Sequence, residues 1–147
     1  MRTRSFCPLV TLLVLTLTAC GGGPVRRISP PTVSIQQLSV QPDGQWHLTL
    51  RIQNFSTVPT HFSAIHATLE IAGATAGTID VKPDIDITEE SADVVEATLT
   101  TSTKLPATGD FAYTLKGTID SSDPKGYYKI NEASRLSPTP GIANTWR

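Results

Sequence analysis

The stretch WHLTLRIQ, residues 46–53, decides the fold of this chain. Its apolar residues occupy every second position, and polar residues fill the positions between them. Successive side chains of a β-strand point to opposite faces, so this alternation predicts a strand with one buried face and one face in water.

The same period of two returns along the rest of the chain. Clear alternation covers residues 65–71, 95–99 and 111–119, and weaker strands are predicted over 33–40, 79–81, 85–87 and 127–131. The apolar phase changes between Ile35 and Leu38, which predicts a β-bulge there. No window shows a sustained helical period.

Turn-forming residues separate these strands, over 41–44, 54–59, 72–74, 106–110 and 121–126. The segment Pro42-Asp43-Gly44 between two alternating runs is typical of a β-hairpin. About eight short strands with regular turns indicate an all-β fold, a two-sheet antiparallel sandwich of the immunoglobulin or fibronectin type III kind. We assign residues 32–147 to this single domain.

Charge gives little support for a nucleic-acid partner. The chain has 147 residues, with 12 Lys and Arg against 13 Asp and Glu, and its basic residues do not cluster. Because nucleic-acid binding depends on grouped cations that neutralise phosphates, we expect no nucleic acid among its partners.

The N-terminus has the three-part layout of a secretory signal. Arg2 and Arg4 precede an apolar stretch over 9–17, and small residues follow at Thr18 and Ala19. The apolar run is too short to span a bilayer as a helix. Residues 1–19 are therefore predicted to be a cleaved signal peptide.

The segment Leu17-Thr18-Ala19-Cys20 resembles the lipobox of bacterial lipoproteins. The resemblance implies acylation of Cys20 with chains such as palmitate, and cleavage just before it. Gly21 in place of Asp implies sorting to the outer membrane, with the domain facing the periplasm. Two or three acyl chains anchor durably, so the membrane is the first expected partner.

Residues 20–31 are predicted to form a lipidated tether, flexible at its glycines and stiffened by prolines at its far end. The second cysteine, Cys7, lies in the part that is removed. Cys20 is then alone, and a disulfide within the mature chain is excluded.

The stretch from Pro31 to about Thr101 resembles the late-embryogenesis-abundant type 2 domain, also called the water-stress and hypersensitive-response domain. The segments that carry the resemblance are PTVSI at 31–35, WHLTLRIQN at 46–54, Val58-Pro59, and IHATLEIAG at 65–73. Asn54 matches the family's Asn-Pro-Asn, although Phe55 and Ser56 replace the last two residues. The resemblance implies an immunoglobulin-like sandwich, frequent lipidation in bacterial members, and a non-enzymatic role in desiccation or envelope stress.

Candidate metal ligands are few. His47, His61 and His66 are the only histidines, and a regular strand would place His61 and His66 on opposite faces. His47 and His66 are expected to meet across paired strands. Asp84 and Asp86 are the weak metal candidates, because Asp84-Ile85-Asp86 puts two carboxylates on one strand face. The alternative for this acidic run is a charged sheet edge that prevents aggregation.

Catalytic candidates form no recognisable group. Ser63 near His61 or His66 lacks a nucleophile elbow, and no glycine loop precedes a helix. We therefore expect no enzyme and no cofactor.

The sequence indicates a non-catalytic outer-membrane lipoprotein that binds an envelope protein or acts in envelope or desiccation stress. An assembly factor or carrier of an apolar ligand is the alternative, and a calcium-dependent adhesion-type module is a lesser one. An internal apolar cavity would favour a carrier, whereas a solid core with an exposed patch would favour an interaction module.

Overall fold

The computed structural model describes residues 22–106 and 108–147, and all regular secondary structure in this part of the chain is β-strand. Two antiparallel sheets pack face to face without closing into a barrel, so the predicted sandwich is confirmed. The strands are β1 (Thr32–Val40), β2 (Trp46–Gln53), β3 (Thr60–Ile71), β4 (Ala74–Val81), β5 (Ile85–Ile87), β6 (Ala92–Leu99), β7 (Phe111–Asp123), β8 (Lys125–Leu136) and β9 (Thr145–Trp146).

The first sheet has four strands in the order β6-β2-β1-β9. The predicted bulge in β1 is confirmed, because the register with β2 shifts between Ile35 and Gln37. The predicted hairpin is also confirmed, since the Gly44 amide donates to the Gln41 carbonyl at 2.9 Å and Gly44 has a positive φ of 84°. Such a φ favours glycine at this turn position.

The second sheet has five strands. Four of them are hydrogen-bonded neighbours in the order β4-β3-β7-β8, and β5 pairs with the first residues of β3. A two-residue turn joins β3 to β4, in which Ala72 and Gly73 both have positive φ. This is the turn whose twist suits a hairpin. β7 and β8 form a long hairpin paired from Phe111↔Leu136 to Ser122↔Lys125.

The core lies between the inner faces of the two sheets. Leu38, Leu48 and Leu50 from the first sheet and Leu69 and Leu115 from the second are fully buried. A polar bond also joins the sheets: the backbone amide of Ile35, beside the bulge, donates to the Tyr113 hydroxyl at 3.1 Å. Burial raises the pKa of that hydroxyl.

Several strands are longer than predicted: β3 begins at Thr60, β4 at Ala74 and β6 at Ala92, and β8 spans Lys125–Leu136. Residues 121–126, predicted as a turn, belong mostly to β7 and β8, because only Asp123 and Pro124 are needed to reverse the chain. β9 was not predicted, since two residues are too short to show a period. It pairs with Leu38 and Ser39 of β1.

Strand direction gives the sandwich two distinct ends. What we call the near end holds the start of β1, the loops at 54–59 and 88–91, and the β7–β8 turn, as the pairs Thr32↔Gln53, Thr60↔Ile87 and His61↔Asp123 require. What we call the far end holds the β1–β2 and β3–β4 turns, the loop after β6 and the segment after β8. The chain enters the domain at the near end.

Candidate binding sites

The lipobox residues Leu17, Thr18 and Ala19 and the lipidation site Cys20 lie outside the described residues. Lipidation therefore stays a prediction of the sequence. Among residues 22–106 and 108–147, no helix is long and apolar enough to cross a membrane.

The second half of the predicted tether lies against the loop between β2 and β3. The Arg27 amide donates to the Thr57 hydroxyl at 2.8 Å, and that hydroxyl donates to the Val25 carbonyl at 2.8 Å. The Ser29 amide donates to the Ser56 hydroxyl at 3.0 Å. Residues 25–29, which the sequence assigns to the tether, are thus held on the near end by hydrogen bonds.

This docked segment leaves apolar side chains in water. Val25, Ile28 and Phe55 are 81%, 43% and 45% exposed. Arg27 links the segment to both near-end loops, with its guanidinium 3.2 Å from the Phe55 carbonyl and 3.4 Å from a carboxylate oxygen of Glu90 in the loop at 88–91. The exposed ion pair adds little stability, whereas three apolar side chains are exposed where the chain enters the domain.

Asn54 holds this loop from inside the protein. Its side chain is 1% exposed, and its amide nitrogen lies 3.0–3.1 Å from the carbonyl oxygens of Val58, Ile87 and Thr88. Its side-chain oxygen accepts from the Ser56 amide at 2.9 Å. A single buried amide therefore ties the two near-end loops together, because loop carbonyls that lack a strand partner need a donor when buried.

The two weak metal candidates converge on one histidine. The ring nitrogens of His61 lie 2.8 Å from an Asp86 oxygen and 3.1 Å from an Asp84 oxygen. The hydrogen bond that the His61 ring donates to the Asp86 carboxylate is the largest cause that raises the pKa of His61, although desolvation opposes it. Two carboxylates on opposite ring nitrogens favour the doubly protonated imidazolium.

The other histidines lie apart. His66 does not meet His47, because β2 and β3 belong to different sheets; its ring nitrogen lies 2.5 Å from an Asp80 oxygen instead. His61 and His66 are both on the solvent face of β3, since the strand is irregular between them. Within the described residues, no group of three or more His, Cys, Asp or Glu side chains could hold a metal ion.

Two consecutive bulges cause this irregularity. Phe62 pairs with Ser121 and Ala64 with Asp120, which leaves Ser63 unpaired on β3. His61 pairs with Asp123, which leaves Ser122 of β7 without a partner on β3, although it pairs with Lys125 of β8. Bulges change the direction of a side chain and recur beside functional sites.

Both serines line a cleft of about 550 Å³ beside the β7–β8 turn, which we call the hairpin cleft. The rest of its lining is Asp120, Ser121, Lys125, Gly126 and Tyr127. Tyr127 is 69% exposed, and one carboxylate oxygen of Asp120 is enclosed without a donor from the described residues. The Ser63 hydroxyl donates to the Asp120 backbone carbonyl at 3.4 Å.

A second cleft of about 550 Å³, which we call the tryptophan cleft, opens at the far end. Val40, Trp46, Leu105 and Trp146 give it apolar walls. The Trp146 ring meets Phe111 edge to face with centroids 5.9 Å apart, and its indole N–H has no acceptor among the described residues.

The sequence did not point to either cleft. The segment predicted as a polar turn contains Lys125 and is flanked by Asp120 and Tyr127. The bulges shift the strand register by one residue, so the sequence shows no regular period there that would reveal the cleft. The two tryptophans are far apart in the sequence and line the same cleft because β9 pairs with β1. The pair Tyr127-Tyr128 next to a turn was the only available signal.

No family model and no curated protein matches the sequence. Among solved structures, a Northeast Structural Genomics Consortium target has a TM-score of 0.49 at 14% identity, over 79% of this chain and 92% of its own. A protein of Arabidopsis thaliana, solved in solution, has a TM-score of 0.48 at 14% identity, over 76% of this chain and 78% of its own. A protein of Archaeoglobus fulgidus has a TM-score of 0.42 at 14% identity, over 77% of this chain and 98% of its own.

Proposed function

We propose that this protein is an outer-membrane-anchored, non-catalytic lipoprotein, similar to late-embryogenesis-abundant type 2 proteins, that works by binding in the periplasm under envelope or desiccation stress. The observation that carries the proposal is the docking of residues 25–29 on the near end. At about 3.3–3.6 Å per residue, the chain from Cys20 to Val25 reaches at most about 18 Å. An acylated Cys20 would hold the near end close to the bilayer and leave the far end free.

The surface of the near end suits a location beside the bilayer. Val25, Ile28 and Phe55 expose apolar surface there, and Arg26 adds a cation beside Arg27. Apolar side chains flanked by cations favour the interface of a bilayer. Confinement near one membrane raises the effective concentration of a partner in the same layer, so contact can be productive at modest affinity.

Rescue of a deletion strain tests the proposal. Wild type should restore survival after drying or osmotic shock, whereas Cys20→Ala should not, because the domain is no longer held at the membrane. Gly21→Asp keeps the lipid but, by the sorting rule, leaves the protein in the inner membrane, and it should also fail. A triple variant of His47, His61 and His66 to Gln should rescue if it is folded.

Two results would contradict the proposal. Full rescue by an unlipidated Cys20→Ala protein would exclude a role that depends on the anchor. Failure of the folded triple-histidine variant would favour chemistry at the histidines over contact.

The tryptophan cleft supports a second function, that of a carrier for an apolar ligand. Trp46 and Trp146 are the two tryptophans of the chain, and both line this cleft. Its volume of about 550 Å³ falls in the range of about 300–1,000 Å³ found for small-molecule sites. Intrinsic fluorescence is therefore a direct reporter of occupancy.

Titration with a medium-chain fatty acid tests the carrier function. We expect a saturable change in tryptophan emission that Leu105→Arg abolishes and that Thr98→Ala, on the outer face of β6, leaves intact. An emission change that is the same in all three proteins would contradict this function.

A further inference from the structure

We propose that the hairpin cleft is a binding site for a neutral, hydroxyl-rich ligand, namely a segment of an oligosaccharide or polysaccharide chain. The inference rests on the proposed function, since it names a class of ligand for a periplasmic binding protein. Ser63, Asp120, Ser122, Lys125 and Tyr127 carry it.

The cleft has a built shape. Ser63 and Ser122 are the two residues that the β3–β7 pairing skips, one on each strand, so the register is irregular at this one place. Asp120 and Tyr127 are direct cross-strand partners on β7 and β8. The β-sheet therefore fixes a carboxylate beside an aromatic ring, with two serines at its border.

The polar groups match sugar hydroxyls, which both donate and accept hydrogen bonds. The Asp120 carboxylate accepts, and one of its oxygens has no donor within residues 22–106 and 108–147. The Lys125 ammonium only donates, and the serine hydroxyls do both. Hydrogen bonds to a charged group are stronger than neutral ones, so Asp120 and Lys125 would orient the ligand.

The two opposite charges disfavour simple anions and simple cations. An anion such as phosphate would meet Lys125 but also the carboxylate of Asp120. A polyamine would meet Asp120 but also the ammonium of Lys125. Among the ion pairs of the described residues, these two groups are not paired with each other. A neutral ligand uses both charges without repulsion.

Tyr127 supplies the apolar contact. This residue is 69% exposed on the edge strand of the second sheet. An aromatic ring exposed beside hydrogen-bonding groups can pack against the C–H face of a sugar ring while its hydroxyl stays in water. The cleft volume of about 550 Å³ is within the range of small-molecule sites.

Isothermal titration calorimetry on the full lipoprotein, in micelles of a detergent without a sugar headgroup, tests the inference. The probes are the tetrasaccharides of N-acetylglucosamine, cellulose and maltose, with inorganic phosphate and putrescine as charged comparators. We expect saturable binding of at least one tetrasaccharide with a Kd of about 1 mM or tighter, and none of either charged compound.

Three variants localise the site. Tyr127→Ala and Asp120→Asn should each weaken binding by about tenfold or more, with unchanged circular dichroism. Lys129→Ala removes an exposed side chain two positions along the same strand, outside the cleft, and should bind like wild type. If Asp120→Asn failed to fold, Tyr127→Ala would still decide the outcome.

Absence of saturation by every tetrasaccharide at about 10 mM, or equal binding by all variants, would overturn the assignment. Binding of phosphate or putrescine alone would also overturn it. None of these results would affect the proposed function, which is tested by the dependence of rescue on the anchor.

Discussion

The buried amide of Asn54 shows how one residue positions the near end. Its side chain is 1% exposed and forms hydrogen bonds with three backbone carbonyls and one backbone amide. Backbone hydrogen bonds also join the two loops, from the Asn54 amide to the Ser91 carbonyl at 2.8 Å and from the Glu90 amide to the Ser56 carbonyl at 3.0 Å. The family resemblance at Asn54 thus coincides with a structural role that its position in the fold explains.

Replacing Asn54 by Ala should cost about 2–4 kcal/mol in the free energy of unfolding, because several buried polar groups would lose partners at once. Urea denaturation of both proteins measures the loss. Asn131→Ala, an exposed change on β8, should stay within about 0.5 kcal/mol of wild type. Similar losses in both variants would contradict the role assigned to Asn54.

His61 links stability to pH. Hydrogen bonds and charges from Asp86 and Asp84 raise its pKa above the ordinary value of 6.5. Because the folded state holds the proton more tightly than the unfolded state, the stabilisation is complete below about pH 6.5 and is lost as the pH rises through the raised pKa.

The difference in melting temperature between wild type and His61→Gln should therefore be largest at about pH 5 and shrink towards about pH 9. Asp86→Asn removes the largest cause of the shift and should move the His61 titration, followed by nuclear magnetic resonance, towards 6.5. A melting difference that does not depend on pH would show that the carboxylates contribute nothing to the folded state.

At the scale of elements, the turn between β3 and β4 has a residue, Ala72, that does not favour the backbone conformation of its position. Ala72 has a φ of 48° and Gly73 a φ of 83°, and both positions of this turn type favour Gly, Asn or Asp. Ala72 is exposed, so a different side chain meets no core atom. The β-carbon of Ala72 in the left-handed region is a local cost that the rest of the hairpin offsets.

Ala72→Asn should raise the free energy of unfolding by about 0.5–1 kcal/mol, since asparagine tolerates this conformation better. Thermal denaturation measures the gain. Ala133→Asn, an exposed position inside β8, should give no gain because asparagine is unfavourable in a regular strand. A loss of stability in Ala72→Asn would mean that the turn does not limit the hairpin.

At the scale of the whole molecule, the proposed anchor implies a fixed orientation. Phe55 lies at the near end and Ile142 at the far end, and their exposures of 45% and 53% are similar. They form a matched pair of reporter positions. In a lipidated protein the Cys20 sulfur is blocked, so a new cysteine at either position can be labelled alone.

The lipoprotein should be reconstituted in vesicles that contain nitroxide lipids, with a fluorophore at Phe55→Cys or Ile142→Cys. We expect strong quenching at position 55 and little at position 142, because the tether from Cys20 to Val25 reaches at most about 18 Å. Equal quenching at both positions would exclude the orientation proposed for the domain.

The sequence by itself determined the strands and their buried faces. A side chain in a strand alternates between core and water, so local residues such as Leu48, Leu50 and Ile52 carry the whole signal. The same local logic predicted the bulge after Ile35 and the turn at Gly44, both of which the structure confirms. The lipobox is likewise a local signal, and it stays a prediction.

Only the tertiary structure decided which groups meet. His66 pairs with Asp80 and not with His47 because the strand order puts β2 and β3 in different sheets. Ser63 and Ser122 reach the hairpin cleft, where Asp120 and Tyr127 stand side by side, because two bulges shift the β3–β7 register. Such placements depend on pairing between strands that are distant in the sequence. The residues of one strand determine its own alternation of buried and exposed side chains, but they do not specify which strand it pairs with.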